Sequence, residues 1–83
     1  MGKHYIPVNI YIDAEGKVTP LEIQAGYDEE WIKIIKVTET RRMASLIAGG
    51  LGIRYTCIIH YYDVKRTIYL FDEKGRWFVE SDE

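Results

Sequence analysis

Tyr5-Ile6-Pro7-Val8-Asn9-Ile10-Tyr11-Ile12-Asp13 sets Ile6, Val8, Ile10 and Ile12 on one side and Tyr5, Pro7, Asn9, Tyr11 and Asp13 on the other. Successive side chains of an extended chain point to opposite faces, so this alternation predicts a half-buried β-strand with its isoleucines inward. Pro7 has no N–H for a ladder, which places it on an edge or early in the strand. The same period continues along the chain. Val18 to Ala25 aligns Leu21, Ile23 and Ala25, with Pro20 as the sign of an edge or a bulge. Trp31 to Val37 is apolar on both faces, the pattern of a strand central in a sheet or curled inside a barrel. Ile53 to Tyr62 separates Ile53, Tyr55, Cys57, Ile59 and Tyr61 from Arg54, Thr56, Ile58, His60 and Tyr62. Thr67 to Phe71 and Arg76 to Glu80 complete the set.

Between these runs lie turn residues. Asp13-Ala14-Glu15-Gly16, Asp63-Val64-Lys65-Arg66 and Asp72-Glu73-Lys74-Gly75 read as turns, with Gly16 and Gly75 suited to positive φ. The stretch from Thr38 to Gly52 has two readings. Met43, Leu46 and Ile47 have helical spacing and Gly49-Gly50 would stop a helix, but a glycine-rich hairpin loop fits as well. The expected fold is therefore all-β. It is an antiparallel meander of about six short strands curled into a small barrel of SH3-like or OB-like size, with at most one short helix near residues 41–48. Residues 1–83 form one domain, with a solvated tail from residue 81.

Composition agrees with a folded domain and narrows its setting. Of 83 residues, 47% are apolar and 29% charged, against the pattern of a disordered chain. One cysteine, Cys57, forms no internal disulfide, which points to a reducing, cytoplasmic compartment. Met1-Gly2-Lys3-His4 lacks the apolar stretch of a signal peptide, and no apolar run approaches a membrane span. Net charge is −2 but uneven along the chain. Residues 1–30 have two lysines against six acids, residues 31–66 seven basic residues against two acids, and residues 67–83 two against five. A basic middle matters only if the fold gathers it on one face; otherwise neighbouring strands pair its charges.

Catalytic and metal chemistry find little support. His4 and His60 are far apart in sequence, and Cys57 alternates with Tyr55 and Ile59 as a packed core residue would. One thiol and two distant imidazoles do not make a metal set, so no metal, cofactor or catalytic residue is expected. Gly49-Gly50-Leu51-Gly52 is followed by a strand, where a phosphate cradle needs a helix N-terminus. The candidate binding residues are Arg41, Arg42 and Arg54 around that loop, and Tyr61, Tyr62 and Arg66 at the other end of the same hairpin. Arginines and flat rings serve protein contacts, and they also hold single-stranded nucleic acid by charge and stacking.

Four segments resemble small bacterial proteins of similar length that have no established activity: Glu15 to Ile23, Thr40 to Ser45, Gly49 to Cys57 and Leu70 to Glu80. The resemblance covers most of the chain, implies a bacterial cytosolic origin and assigns no residue a role. The residues themselves point to a non-enzymatic module that binds a protein partner or a second copy of itself, with no membrane. Weak single-stranded nucleic-acid binding by the Arg/Tyr surface of residues 31–66 is the alternative.

Overall fold

A computed structural model describes residues 2–26, 28–45 and 50–81, with side chains for 3–26, 28–42 and 52–80. Its elements are strands: β1 (Gly2–Tyr5), β2 (Val8–Ile12), β3 (Val18–Ala25), β4 (Glu30–Ser45), β5 (Gly50–Tyr61), β6 (Val64–Glu73) and β7 (Arg76–Ser81). They form one antiparallel sheet in the order β1-β7-β6-β5-β4-β3-β2. The two ends of that order, β1 and β2, are separated in sequence only by Ile6 and Pro7. The meander must therefore curl until its ends meet, and it forms a half-barrel bridged at that dipeptide. Ile6 donates its N–H to the Trp77 carbonyl (3.0 Å), and the carbonyl of Pro7 accepts from the Gln24 N–H (3.0 Å). Proline suits this switch because only its carbonyl is used.

The first apolar run is thus two strands, and seven strands stand where six were expected. Phase also slips inside the strands. Asn9 pairs with Glu22 but Ile10 with Pro20, so Leu21 is an extra, bulged residue. Pro20 and Ile23 are buried while Leu21 turns outward, against the expected inward face. Along β4, Ile34 pairs with Ile59 and Lys36 with Ile58, and then Val37 with Cys57 and Glu39 with Thr56. Ile35 and Thr38 are therefore bulge residues. Each bulge bends its strand and moves the next side chain to the other face. That bending puts Ile32, Ile34 and Val37 against the core and leaves Trp31 and Ile35 in solvent.

Of the two readings of the stretch near 41–48, at most one short helix or a continued hairpin, the extended one is observed as far as it is described. Residues 41–45 continue β4, paired from Arg41↔Arg54 to Ser45↔Gly50, and residues 46–49 lie outside the described residues. Ser81, where the tail was expected to begin, still pairs with Gly2, and residues 82–83 lie outside the described residues. Likewise, the turn expected at Asp63–Arg66 falls at Tyr62-Asp63, both with positive φ (51° and 60°), and Val64 already belongs to β6. Lys74-Gly75 makes the other two-residue hairpin, as expected, with φ of 54° and 85°. Two positive φ values in a two-residue loop match the right-handed twist of the flanking strands.

Inside the curl lie Ile6, Ile23, Ile32, Tyr55, Cys57, Ile59, Leu70 and Trp77, with the Tyr55 and Trp77 rings 5.2 Å apart. The face expected for β5 is the one observed. A second, smaller apolar cluster sits on the outer face, where Phe71 and Phe78 stack at 5.0 Å and Tyr5 meets Phe78 edge-on at 5.5 Å. Lys3 lies 5.4 Å from the Phe78 ring centre and Arg76 3.9 Å from that of Tyr5, so cationic side chains roof this cluster.

Candidate functional site

β5 carries two of the six candidate residues, Arg54 and Tyr61, and the direct partners of Arg41, Arg42 and Arg66, and it separates them. Arg41 and Arg54 stand directly opposite each other across β4 and β5, so their side chains share the outer face. Glu39 lies between them: its carboxylate accepts from Arg54 Nη2 at 3.3 Å and is ion-paired with Arg41 Nε at 3.4 Å. Arg54 also lies over the Tyr69 ring, with its Cζ 4.9 Å from the ring centre. Two positive charges thus share one negative charge. Arg42 is next in sequence and so points to the other face, opposite Ile53, beside a shallow recess lined by Gly52, Asp72 and Lys74.

Tyr61 and Tyr62 are seven and eight residues further along, roughly 23 Å or more from Arg54 at the rise of a strand. Tyr61 turns toward the core, and a Cβ on Gly26 would collide with its hydroxyl. Tyr62 is 67% exposed at the turn; its ring centre lies 4.5 Å from that of Tyr61, and its hydroxyl donates to Asp28 at 3.3 Å. The negative charge of Asp28, helped by Tyr61, raises the Tyr62 hydroxyl above its ordinary range. Arg66 is exposed and stands opposite Ile59. The fold therefore brings together Arg41 with Arg54, and Tyr61 with Tyr62, at opposite ends of one hairpin. It does not bring all six together.

Chemistry at either end lacks a reactive set. Among the described residues, no three of His, Cys, Asp and Glu gather as metal ligands. Cys57 is fully buried, and burial pushes its thiol up to about 11, which keeps it protonated and unreactive. Lys3 is paired with Glu73 (3.2 Å): burial lowers its basicity, and the bonds to Glu73 and Tyr5 outweigh that and raise it. A recess of about 610 Å³ runs from Ile23, Ile32 and Ile59 to Tyr61, Tyr69 and Glu80. Ile23, Ile32 and Ile59, each less than a tenth exposed, form its buried floor, and Thr67, Tyr69 and Glu80 are exposed along its rim. No helix among the described residues is long and apolar enough to cross a membrane.

Exposed apolar side chains are what the sequence reading missed. Trp31 and Ile35 on β4, Leu21 on β3, and Ile10, Tyr11 and Ile12 on β2 are all exposed. Pro7 and Pro20 were the available signals, because a proline in an apolar run marks an edge or a bulge and so a change of face. No family model, curated protein or solved structure matches the chain.

Proposed function

We propose that this chain is a non-enzymatic β module that acts by contact with protein surfaces, a second copy of itself included. The observation that carries this reading is the amount of large apolar side chain left in solvent. Tyr11 is 58% exposed, Ile12 57% and Ile35 51%, with Leu21, Trp31 and Tyr69 close behind. Scattered apolar residues are normal on any surface, but rings and branched chains on adjoining strands are the material of contact hot spots. The test is light scattering over a concentration series, with Trp31→Glu and Ile35→Lys in parallel. The expected result is a mass that rises from the 9.7 kDa of one chain, or a partner whose binding these variants weaken. One chain's mass throughout, together with partner capture unchanged by either variant, would remove the reading. The nucleic-acid alternative draws on Arg54 stacked over Tyr69 beside Arg41, and its test is the salt dependence of binding to a labelled single strand.

A further inference from the structure

β2 is an edge strand with no second neighbour among the described residues, and the pattern of its hydrogen bonds says which groups wait for one. The carbonyl of Pro7 takes the Gln24 N–H, and Asp13 donates to the Lys17 carbonyl, so positions 7 and 13 face β3. Alternation along an antiparallel strand turns Val8, Ile10 and Ile12 the other way, with three N–H and three C=O groups on the free edge. Only another extended strand matches that row. Ile6 donates in the same direction, to Trp77 of β7. The free lane beside β2 is therefore the continuation of the lane that β7 leaves at its Lys74-Gly75 turn.

Other partly free edges of the sheet are guarded. β4 pairs with β3 only through Glu30–Lys33, and beyond that it carries two bulges with Lys36 and Arg42. β6 pairs with β7 only from Leu70 onward, and its free part carries Lys65 and Arg66. β1 is four residues long and includes Lys3. Charge, bulges and shortness are the devices that keep edges from pairing. Val8-Asn9-Ile10-Tyr11-Ile12 is uncharged, free of proline and without an inserted residue of its own, with Val8, Ile10 and Ile12 on one face and Asn9 and Tyr11 on the other.

We propose that β2 pairs antiparallel with β2 of a second copy, about a two-fold axis near Ile10. This rests on the reading of the chain as a contact module and names its partner and surface. Antiparallel pairing about Ile10 sets Val8 against Ile12 of the other copy and Ile10 against Ile10, with no charge opposing its like. The end of the incoming strand then abuts the start of β7. There the acidic turn Asp13-Ala14-Glu15 of one copy meets exposed Lys74 and Arg76 of the other, and the two-fold axis makes that contact twice. Five residues a side make a small interface, so the dimer is weak and concentration-dependent.

Sedimentation equilibrium between about 10 and about 500 μM protein reads this directly, because small interfaces of this kind sit in that range. The expected result is a monomer–dimer equilibrium. Ile10→Pro removes an N–H that β3 does not use, and Ile12→Lys puts a charge on an already exposed position. Each weakens the dimer by about tenfold or more with an unchanged circular dichroism spectrum. Lys74→Glu weakens it too, and adding Glu15→Lys restores it. With a mild thiol oxidant added to take up the two electrons, an Ile10→Cys variant forms a symmetric disulfide, since paired Cα atoms of a sheet lie within disulfide reach. A single chain at every concentration overturns the proposal. So does a dimer that survives both Ile10→Pro and Ile12→Lys; if that dimer falls to Ile35→Lys instead, the contact-module reading stands and only this edge is wrong. Should Ile10→Pro fail to fold, Ile12→Lys and the charge swap decide.

Discussion

Cys57 sits mid-strand between Tyr55 and Ile59 on the buried face, and its Sγ reaches only the Tyr55 carbonyl, at 3.6 Å. Burial raises its thiol from 9.0 to about 11, so the folded chain holds this proton after the unfolded chain has released it. Over that window the unfolded state binds fewer protons, and stability falls as pH rises. Two pH units correspond to a loss on the order of 2 to 3 kcal/mol. Tyr55, raised by burial and by Asp72, adds loss in the same direction. Urea midpoints measured near pH 8.5 and near pH 10.5 should show wild type losing about 2 kcal/mol more than Cys57→Ala. Equal losses would mean that the thiol titrates as in a free chain. Gly26 gives a second test at this scale. It holds φ of +92°, and a Cβ there would strike the Tyr61 hydroxyl, so Gly26→Ala is expected to cost about 2 kcal/mol or more in thermal or urea unfolding. A neutral Gly26→Ala would show that Tyr61 moves away freely.

Elements are where sequence reading divides into what can be read and what cannot. β5 was legible because its alternation runs unbroken and both neighbours pair with it along its length, so one face is core throughout. β3 and β4 were not, because an inserted residue leaves no mark in the sequence while it reverses every later face. Ile10 and Ile12 keep the face of Val8, opposite Pro20 and Val18, and are exposed because β2 is an edge. The wrong inward face for Leu21 has the inserted residue as its cause. So does the failure to see Trp31 and Ile35 outside. The Arg41–Arg54 pairing was legible as a hairpin, and the same register sets Glu39, two residues before Arg41, on their face. The β5–β6 turn carries its own prediction. Asp63 is exposed at φ of 60°, in a loop position that favours glycine. Asp63→Gly should stabilise the chain by about 0.5 to 1 kcal/mol, seen as a rise of several degrees in Tm. A drop in Tm would mean that the Asp63 side chain supports the turn by itself.

Charge is a property of the whole curl. The chain runs acidic, basic, acidic, and the sheet order lays β4 and β5 between β3, which carries Glu22, and β6, where Asp72 and Glu73 offset Lys65 and Arg66. Lys33 stands opposite Glu22, Lys3 pairs with Glu73, and Arg41 and Arg54 share Glu39. Across the sheet Lys33, Arg41 and Arg54 of the basic middle are thus answered by acids, and the net charge stays at −2. A single strand of nucleic acid laid over Arg54 and Tyr69 would meet one uncompensated positive charge at that spot. It would find the tyrosines of the β5–β6 turn at the far end of the hairpin. Binding in which Z phosphates are neutralised falls with salt at a slope near −0.7Z for single strands, so this surface predicts a slope of about −1 at most. Fluorescence anisotropy with a labelled oligonucleotide should accordingly show no saturable binding at about 100 μM protein and moderate salt. Glu39→Gln removes the shared carboxylate and should improve any residual low-salt binding by a few-fold, with a slope steeper by less than about one unit. Tight binding by wild type with a slope beyond about −3 would require four or more phosphate contacts. Arg42 and Arg66, separated on this fold, would then have to act together with Arg41 and Arg54, which only a different pairing of β4 with its neighbours would allow.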